Sequence, residues 1–249
     1  MSTKIKIRLD QLLVSKKLVS SKSKAQSMIM AGQVKVNDKV ITKSGNSFRE
    51  DCSIIINKLH PPWVSRGALK LLKAIEAFRI EISNKVCLDI GSSTGGFTQV
   101  LLKNKAKKIF AIDVGTNQLH EKLQKEKKII SIENFNAKYL NNSIISEKID
   151  LLVCDVSFIS LKKVIFPSLK LLSNKAEIIA LIKPQFETQK VNLRKGVVKN
   201  SSIHKEICKD ISQWFTSKCE AKVMDIIPSP ITGPKGNVEF LIYSRLNKS

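Results

Sequence analysis

The spacing of apolar residues changes character once along this chain. In RLDQLLVSKKL, Leu9, Leu12 and Leu13 fall on one helical face, and in SSKSKAQSMIMAGQ, Ala25, Met28 and Ile29 recur about a turn apart. The second stretch starts on serine and stops at Gly32, as helices do. VKVNDKVI then alternates about Asn37 and Asp38, which predicts a tight hairpin, and SIIIN adds a strand ahead of HPPW. From Ser65 the period lengthens. Apolar runs KVCLDI, KIFAIDV, KIISIE, IDLLVCD and AEIIALI alternate with helical stretches SRGALKLLKAIEAF, GGFTQVLLKN, NQLHEKLQ and LKKVIFPSLKLL. That alternation predicts βαβ units and a mostly parallel sheet. After the helix HKEICKDISQWF, KVMDIIPS and NVEFLIYSR are separated only by PITGPKG, which predicts an antiparallel hairpin at the sheet edge. The pattern divides into a small α+β module (1–60), a linker (61–64) and an α/β domain (65–249).

Charge adds a partner to this picture. The 249 residues carry 43 Lys and Arg against 21 Asp and Glu, a formal charge of +22. Such a surplus favours a polyanion, either nucleic acid or an anionic membrane. No apolar run approaches the roughly 20 residues that span a bilayer, and MSTKIKIRLD lacks an apolar signal core. The five cysteines form no CxxC pair, so the expectation is a cytoplasmic protein without disulfides or a metal site. Within the first module, Arg8, Lys22, Lys24 and Lys35 are spaced to lie on an exposed side. They are candidates for RNA binding; a merely solvated basic face is the plainer alternative.

CLDIGSSTGGFTQV reads as strand, glycine loop and helix. Gly91 lets the chain leave the strand tightly, and Gly95 and Gly96 leave room for a ligand where the helix begins. Ser92, Ser93 and Phe97 complete the candidate loop. Asp89, two residues before Gly91, would repel a pyrophosphate but welcome a cationic amino-acid end. Asp113 ends the next strand, the usual place to meet ribose hydroxyls. The two acids together suit S-adenosylmethionine better than a dinucleotide, whereas a glycine loop alone could be no more than a tight turn. Asn136, in ENFNAKY, is a candidate contact to the adenine side or a simple turn asparagine.

Ligands of open α/β sheets bind beyond the carboxyl ends of the strands. Asp155 ends IDLLVCD there, and Lys183 ends AEIIALI just before Pro184. A lysine closing a buried strand needs a partner or a task. Lys70, in the helix after Ser65, and Glu239, in the last predicted strand, each have a plain surface explanation when taken singly.

Together these segments carry a resemblance. RLD with SSKSKAQSMIMAGQVKVN resembles the S4 RNA-binding module. SRGALKL, DVSFIS, LIKPQFE and PSPITGPKGNVEF resemble the ribosomal RNA 2′-O-methyltransferases of the TlyA family, also called haemolysin A-like proteins. Their second half is similar to the FtsJ-like group with its Lys-Asp-Lys-Glu set. The resemblance runs from about residue 7 to residue 243. It implies a Rossmann-like S-adenosylmethionine-dependent methyltransferase behind an S4 domain, with Lys70, Asp155, Lys183 and Glu239 as catalytic residues. Trp63, Ala68, Ser92 and Thr116-Asn117 depart from the usual pattern, none of them on the tetrad. The implied acceptor is a ribose 2′-hydroxyl, of cytidine in ribosomal RNA or a ribosomal subunit. Such a hydroxyl is a poor nucleophile until a group such as Lys183 polarises it or takes its proton, with Asp155 orienting the lysine. Arg66 is placed to reach phosphate near the target sugar; a water-exposed arginine at a helix N-terminus is the plain alternative. A non-catalytic S4-type ribosome-assembly factor, or a membrane-lytic haemolysin, are the alternative readings.

Overall fold

The structure is a computed structural model that describes residues 6–30, 32–56, 63–233 and 235–246. The first three residues of the HPPW segment, and with them part of the expected linker, lie outside that set. The chain forms two compact units that meet in sequence between Arg66 and Gly67.

The first unit begins with β1 (Lys6–Arg8), α1 (Leu9–Ser15) and α2 (Lys22–Met30). It continues through β2 (Val34–Val36), β3 (Lys39–Ile41), β4 (Ser47–Arg49) and β5 (Ile54–Ile56). The apolar stripes foreseen for the two helices are its core: Leu9, Leu13, Ala25 and Ile29 pack with Val34 and Val36. Asn37 and Asp38 both take positive φ, 47° and 63°, which a two-residue turn between twisted strands requires. The hairpin strands and the SIIIN strand form a three-stranded sheet, β3-β2-β5, and a separate β1-β4 pair joins them. Arg8 therefore belongs to a strand, and the helix starts at Leu9, whose amide meets the Asn46 carbonyl at 2.8 Å.

In the second unit α3 (Ala68–Phe78) leads into β6 (Val86–Ile90), α4 (Gly96–Lys103), β7 (Lys108–Ile112), α5 (Glu121–Gln124) and β8 (Ile129–Ile132). Then come β9 (Ile149–Cys154), α6 (Leu161–Ser168), β10 (Leu172–Ile182), α7 (Pro184–Glu187), α8 (Ser201–Lys218), β11 (Ala221–Pro228) and β12 (Phe240–Leu246). The seven strands lie in the order β11-β12-β10-β9-β6-β7-β8. β10, β9, β6, β7 and β8 are parallel, while β12 runs antiparallel to both β10 and β11. All five residues of β6 are buried, as in a sheet covered on both faces. Leu88, Ile90, Leu152, Cys154, Ile178 and Ala180 share one face with Val164 and Ile165 of α6 and Ile211 and Phe215 of α8. The alternate residues, Asp89 among them, point to the opposite face, where α4 packs on β6 and β7 and α3 packs on α4 and β12.

Three elements differ from their sequence patterns, each for a local reason. The stretch 117–124 is helical only from Glu121, because the Gln118 and Leu119 amides donate to the Glu133 carboxylate at 3.0 and 2.9 Å. The helix at 161–172 ends at Ser168; Pro167 sits in its last turn and the chain tightens before Leu172 enters β10. Glu239 stands one residue ahead of β12 rather than within it.

Candidate active site

The sheet order reverses between β6 and β9: the chain steps from β6 outward to β7 and β8, then returns to the other side of β6. Crevices at such a reversal, beyond the carboxyl ends of the strands, are where these sheets bind ligands. Gly91 makes the crossing there. It takes φ +81°, and a Cβ on it would lie 2.8 Å from the Asp155 carbonyl oxygen, so only glycine lets the loops after β6 and β9 pass so closely.

Beside this crossing lies a cleft with a volume of ≈ 370 Å³. Of the residues expected to hold a cofactor, Gly91, Ser93, Asp113 and Asn136 line it. Asp113 also braces the wall, accepting from the Ser93 and Gly115 amides at 2.8 Å each. Asn136 accepts from the Lys138 amide at 3.1 Å. Asp89 is fully buried under the loop and accepts from Thr98 Oγ1 at 2.6 Å. Among the described residues its Oδ1 has no hydrogen-bond partner. Burial pushes this carboxyl up to about 7 against the Thr98 hydrogen bond, and the negative charge of Asp155 and Asp113 adds to the rise.

Ser92, Gly95, Gly96 and Phe97 do not line the cleft. Ser92 and Phe97 are buried. Gly95 has φ +94°, and its bare Cα faces the Leu119 and Leu123 side chains, which a Cβ would meet at 2.7 and 2.3 Å. Room for hydrophobic packing therefore accounts for this glycine. The sequence pattern overlooked much of the rest of the wall: Val114, Gln118, Phe135, Ser157 and Phe158. Phe158 was legible only as part of DVSFIS. It holds φ +64°, is 91 % exposed and lies 5.2 Å, centroid to centroid, from Phe186.

Four charged groups from distant parts of the chain meet beside this cleft. Lys70 Nζ, on the first turn of α3, lies 2.8 Å from Glu239 Oε2 and 3.1 Å from Asp155 Oδ2. Lys183, the N-cap of α7, places Nζ 2.6 Å from Asp155 Oδ1 and donates to Ser157 Oγ at 2.9 Å. Both lysines are only 7 % exposed and Glu239 only 2 %. Burial acts to raise the Asp155 carboxyl, but the two flanking ammonium groups outweigh it and hold the group below the usual carboxylate range. The result is an unbroken chain of ionic contacts, Glu239–Lys70–Asp155–Lys183, with two positive and two negative members and no formal surplus.

Glu187 supports this arrangement from one side. It accepts from Ser160 Oγ at 2.7 Å and from the Leu161 amide at 2.6 Å, so α7 caps α6 and ties down the segment that carries Ser157 and Phe158. Burial raises its carboxyl above the ordinary value, against both hydrogen bonds.

In the first unit, Lys22 and Lys24 are exposed on α2, and Lys35 is half-buried on β2. Arg8 forks onto the buried Asp10 at 2.9 and 3.1 Å, which holds that carboxyl far below its usual range. Arg66 closes the first unit.

Residues 63–246 match the model of the FtsJ-like methyltransferases, and residues 7–46 match that of the S4 domain. The chain belongs to the FtsJ-like methyltransferase family. It is 40 % identical over 238 residues to "Hemolysin A" of Brachyspira hyodysenteriae, covering 95 % of this chain and 99 % of that one. It is 39 % identical to the "23S rRNA (cytidine-2'-O)-methyltransferase TlyA" of Campylobacter jejuni, covering 92 % and 96 %. A solved structure from Streptococcus thermophilus, named as a hemolysin, superposes with a TM-score of 0.77 at 34 % identity, covering 99 % of this chain and 90 % of that one. The resemblance drawn from the short motifs thus holds over nearly the whole length. Among the described residues no helix is long and apolar enough to cross a membrane.

Proposed function

We propose that this chain transfers a methyl group from S-adenosylmethionine to a ribose 2′-hydroxyl in ribosomal RNA, with cytidine as the nucleoside, and that Lys70, Asp155, Lys183 and Glu239 carry the reaction. The observation that supports it most directly is the convergence of two amines and two carboxylates beside a cleft at the sheet's reversal point. The activity named for the Campylobacter relative supports the choice of acceptor.

The residues of the cleft suit the cofactor. Asp89 does not line the cleft but is buried beneath the glycine loop beside it, and its Oδ1, unmatched among the described residues, would suit the methionine ammonium. Asp113 and Asn136 would meet the ribose and adenine ends. When bound, S-adenosylmethionine supplies an electrophilic methyl group on a sulfonium.

The chain's own work is positioning and proton management. Lys183 Nζ touches Asp155 and Ser157 on the cleft side, where an incoming 2′-hydroxyl can replace the serine oxygen as its hydrogen-bond partner. As an ammonium Lys183 donates to the hydroxyl oxygen and orients it, and once it has given up its own proton its amine can take the hydroxyl proton, while Asp155 keeps Nζ from swinging away. Lys70 and Glu239 keep the local charge balanced and fix the Asp155 carboxylate from behind. The S4 unit supplies affinity through Arg8, Lys22, Lys24 and Lys35, and Arg66 supplies phosphate contact near the target. Specificity comes from RNA shape and from presenting an unstacked nucleotide.

Transfer of labelled methyl from S-adenosylmethionine to ribosomal RNA, with the 2′-O-methyl positions mapped, tests the reading. We expect Lys183→Ala to fold, to bind the cofactor and to lose at least about a hundredfold in rate. A variant that folds, binds and still methylates near the wild-type rate would remove Lys183 from the mechanism.

A further inference from the structure

The end of the sheet opposite the active site carries a run of exposed positive charge. Exposed lysines stand one to three residues ahead of successive parallel strands: Lys105 and Lys107 before β7, Lys127 and Lys128 before β8, Lys148 before β9 and Lys170 before β10. Hydrogen bonds join these turns into one rim. The Lys107 amide meets the Lys85 carbonyl at 2.8 Å, Lys128 Nζ donates to the Ala106 carbonyl at 3.3 Å, and Lys148 Nζ donates to the Lys170 carbonyl at 3.0 Å. None of the six has an ion-pair partner among the described residues.

The acids of the same rim are already engaged. Glu147 pairs with Lys108, Glu177 with Lys85, and Asp150 accepts from the Val86 amide at 3.0 Å. Glu126 is the exception, exposed between lysines. Five adjacent strand ends at about 4.8 Å spacing make the rim roughly 19 Å wide. Five residues of β6 at about 3.3 Å each set it roughly 17 Å from the catalytic end.

We propose that this rim is a second RNA-binding face, one that grips the phosphate backbone of a structured segment of ribosomal RNA away from the target nucleotide. The inference rests on the RNA reading above. The nucleotide bound at the catalytic end cannot also reach the opposite end, so a separate stretch of RNA has to fill the rim. Chemistry favours RNA over a lipid surface. Membrane-surface segments interleave cations with exposed apolar anchors. Here Ala106, Ile149 and Leu171, the apolar residues next to the lysines, are buried, and only Ile130 and Ile144 nearby are partly exposed, so charge outweighs apolar anchors along the row. Lysines act as point charges on phosphate and carry no base preference.

The test replaces Lys105, Lys107, Lys127 and Lys148 together by glutamine in the full chain, with circular dichroism and thermal melting to confirm folding. Binding to intact ribosomal RNA is measured across a salt series, alongside methylation of a short RNA fragment that spans the modified site. The expected result is a salt slope flattened by about 3, from roughly 0.7–0.9 per lost phosphate contact. Affinity for intact RNA should be weaker, and the rate on the short fragment unchanged. An unchanged slope and affinity for intact RNA would overturn the proposal. So would loss of binding to anionic phospholipid vesicles with RNA binding intact, which would make the rim a membrane face. Lys183→Ala in parallel separates the two readings, since it should keep the full salt slope while losing methyl transfer. A wild-type chain that neither binds nor methylates RNA would overturn both.

Discussion

A carboxylate with one unmatched oxygen, fully buried beneath a glycine loop, is costly to keep charged, and Asp89 shows the cost as a pKa of about 7. Its folded value lies above its unfolded one, so the protonated fold is the favoured form. The associated stability is complete below about pH 4 and is lost as pH rises through 7. Asp89→Asn should therefore stabilise the cofactor-free protein at pH 8, by up to about 4 kcal/mol, while weakening S-adenosylmethionine binding. Melting curves with and without cofactor at pH 5 and pH 8 check both halves. Asp155 behaves in the opposite sense, because two buried ammonium groups share it. Asp155→Ala leaves both without that partner and should cost about 3 kcal/mol in chemical denaturation. Lys183→Ala leaves Asp155 paired with Lys70 and should cost less. The ranking of these two variants separates a structural ion network from a catalytic one, since activity falls in both but stability falls mainly in the first.

Between elements, the decisive contact is that of α7 on α6. Removing the Glu187 carboxylate strips the Ser160 hydroxyl and the Leu161 amide of their acceptor. Glu187→Ala should destabilise the protein by about 1–2 kcal/mol and lower the methylation rate, with cofactor affinity little changed. Equilibrium unfolding and single-turnover kinetics read the two effects. Period and length made most elements legible, because buried parallel strands and amphipathic helices write different patterns. The same logic pointed to Asp155 and Lys183, polar residues where apolar strands stop. Lys70 and Glu239 were legible only through a family pattern, since nothing local marks a helix lysine and an acid in a loop as contacts 2.8 Å apart. Ser157 and Phe158 left still less trace: their place on the cleft depends on a turn whose φ of +64° at a phenylalanine no propensity predicts. Gly95 shows a similar limit, as a glycine in sequence does not say that Leu119 and Leu123 pack against the space it leaves.

At the scale of the whole molecule, charge is the property that composition states and structure distributes. The first unit contributes exposed Lys22 and Lys24, and Lys22→Gln with Lys24→Gln should raise the KM for ribosomal RNA severalfold, leave kcat unchanged and flatten the salt slope by about 1.5. Arg8 is a poorer choice for that experiment, because it also holds the buried Asp10. The sheet has a further property with a temporal meaning. β12 does not sit at the margin but between β10 and β11, with Glu239 immediately ahead of it. Until translation has passed residue 246, the slot between those two strands is not filled, and before residue 239 is made Lys70 has Asp155 but not Glu239 as a partner. The ion chain beside the cleft can thus be completed only after the segment that leads into β12 has been synthesised.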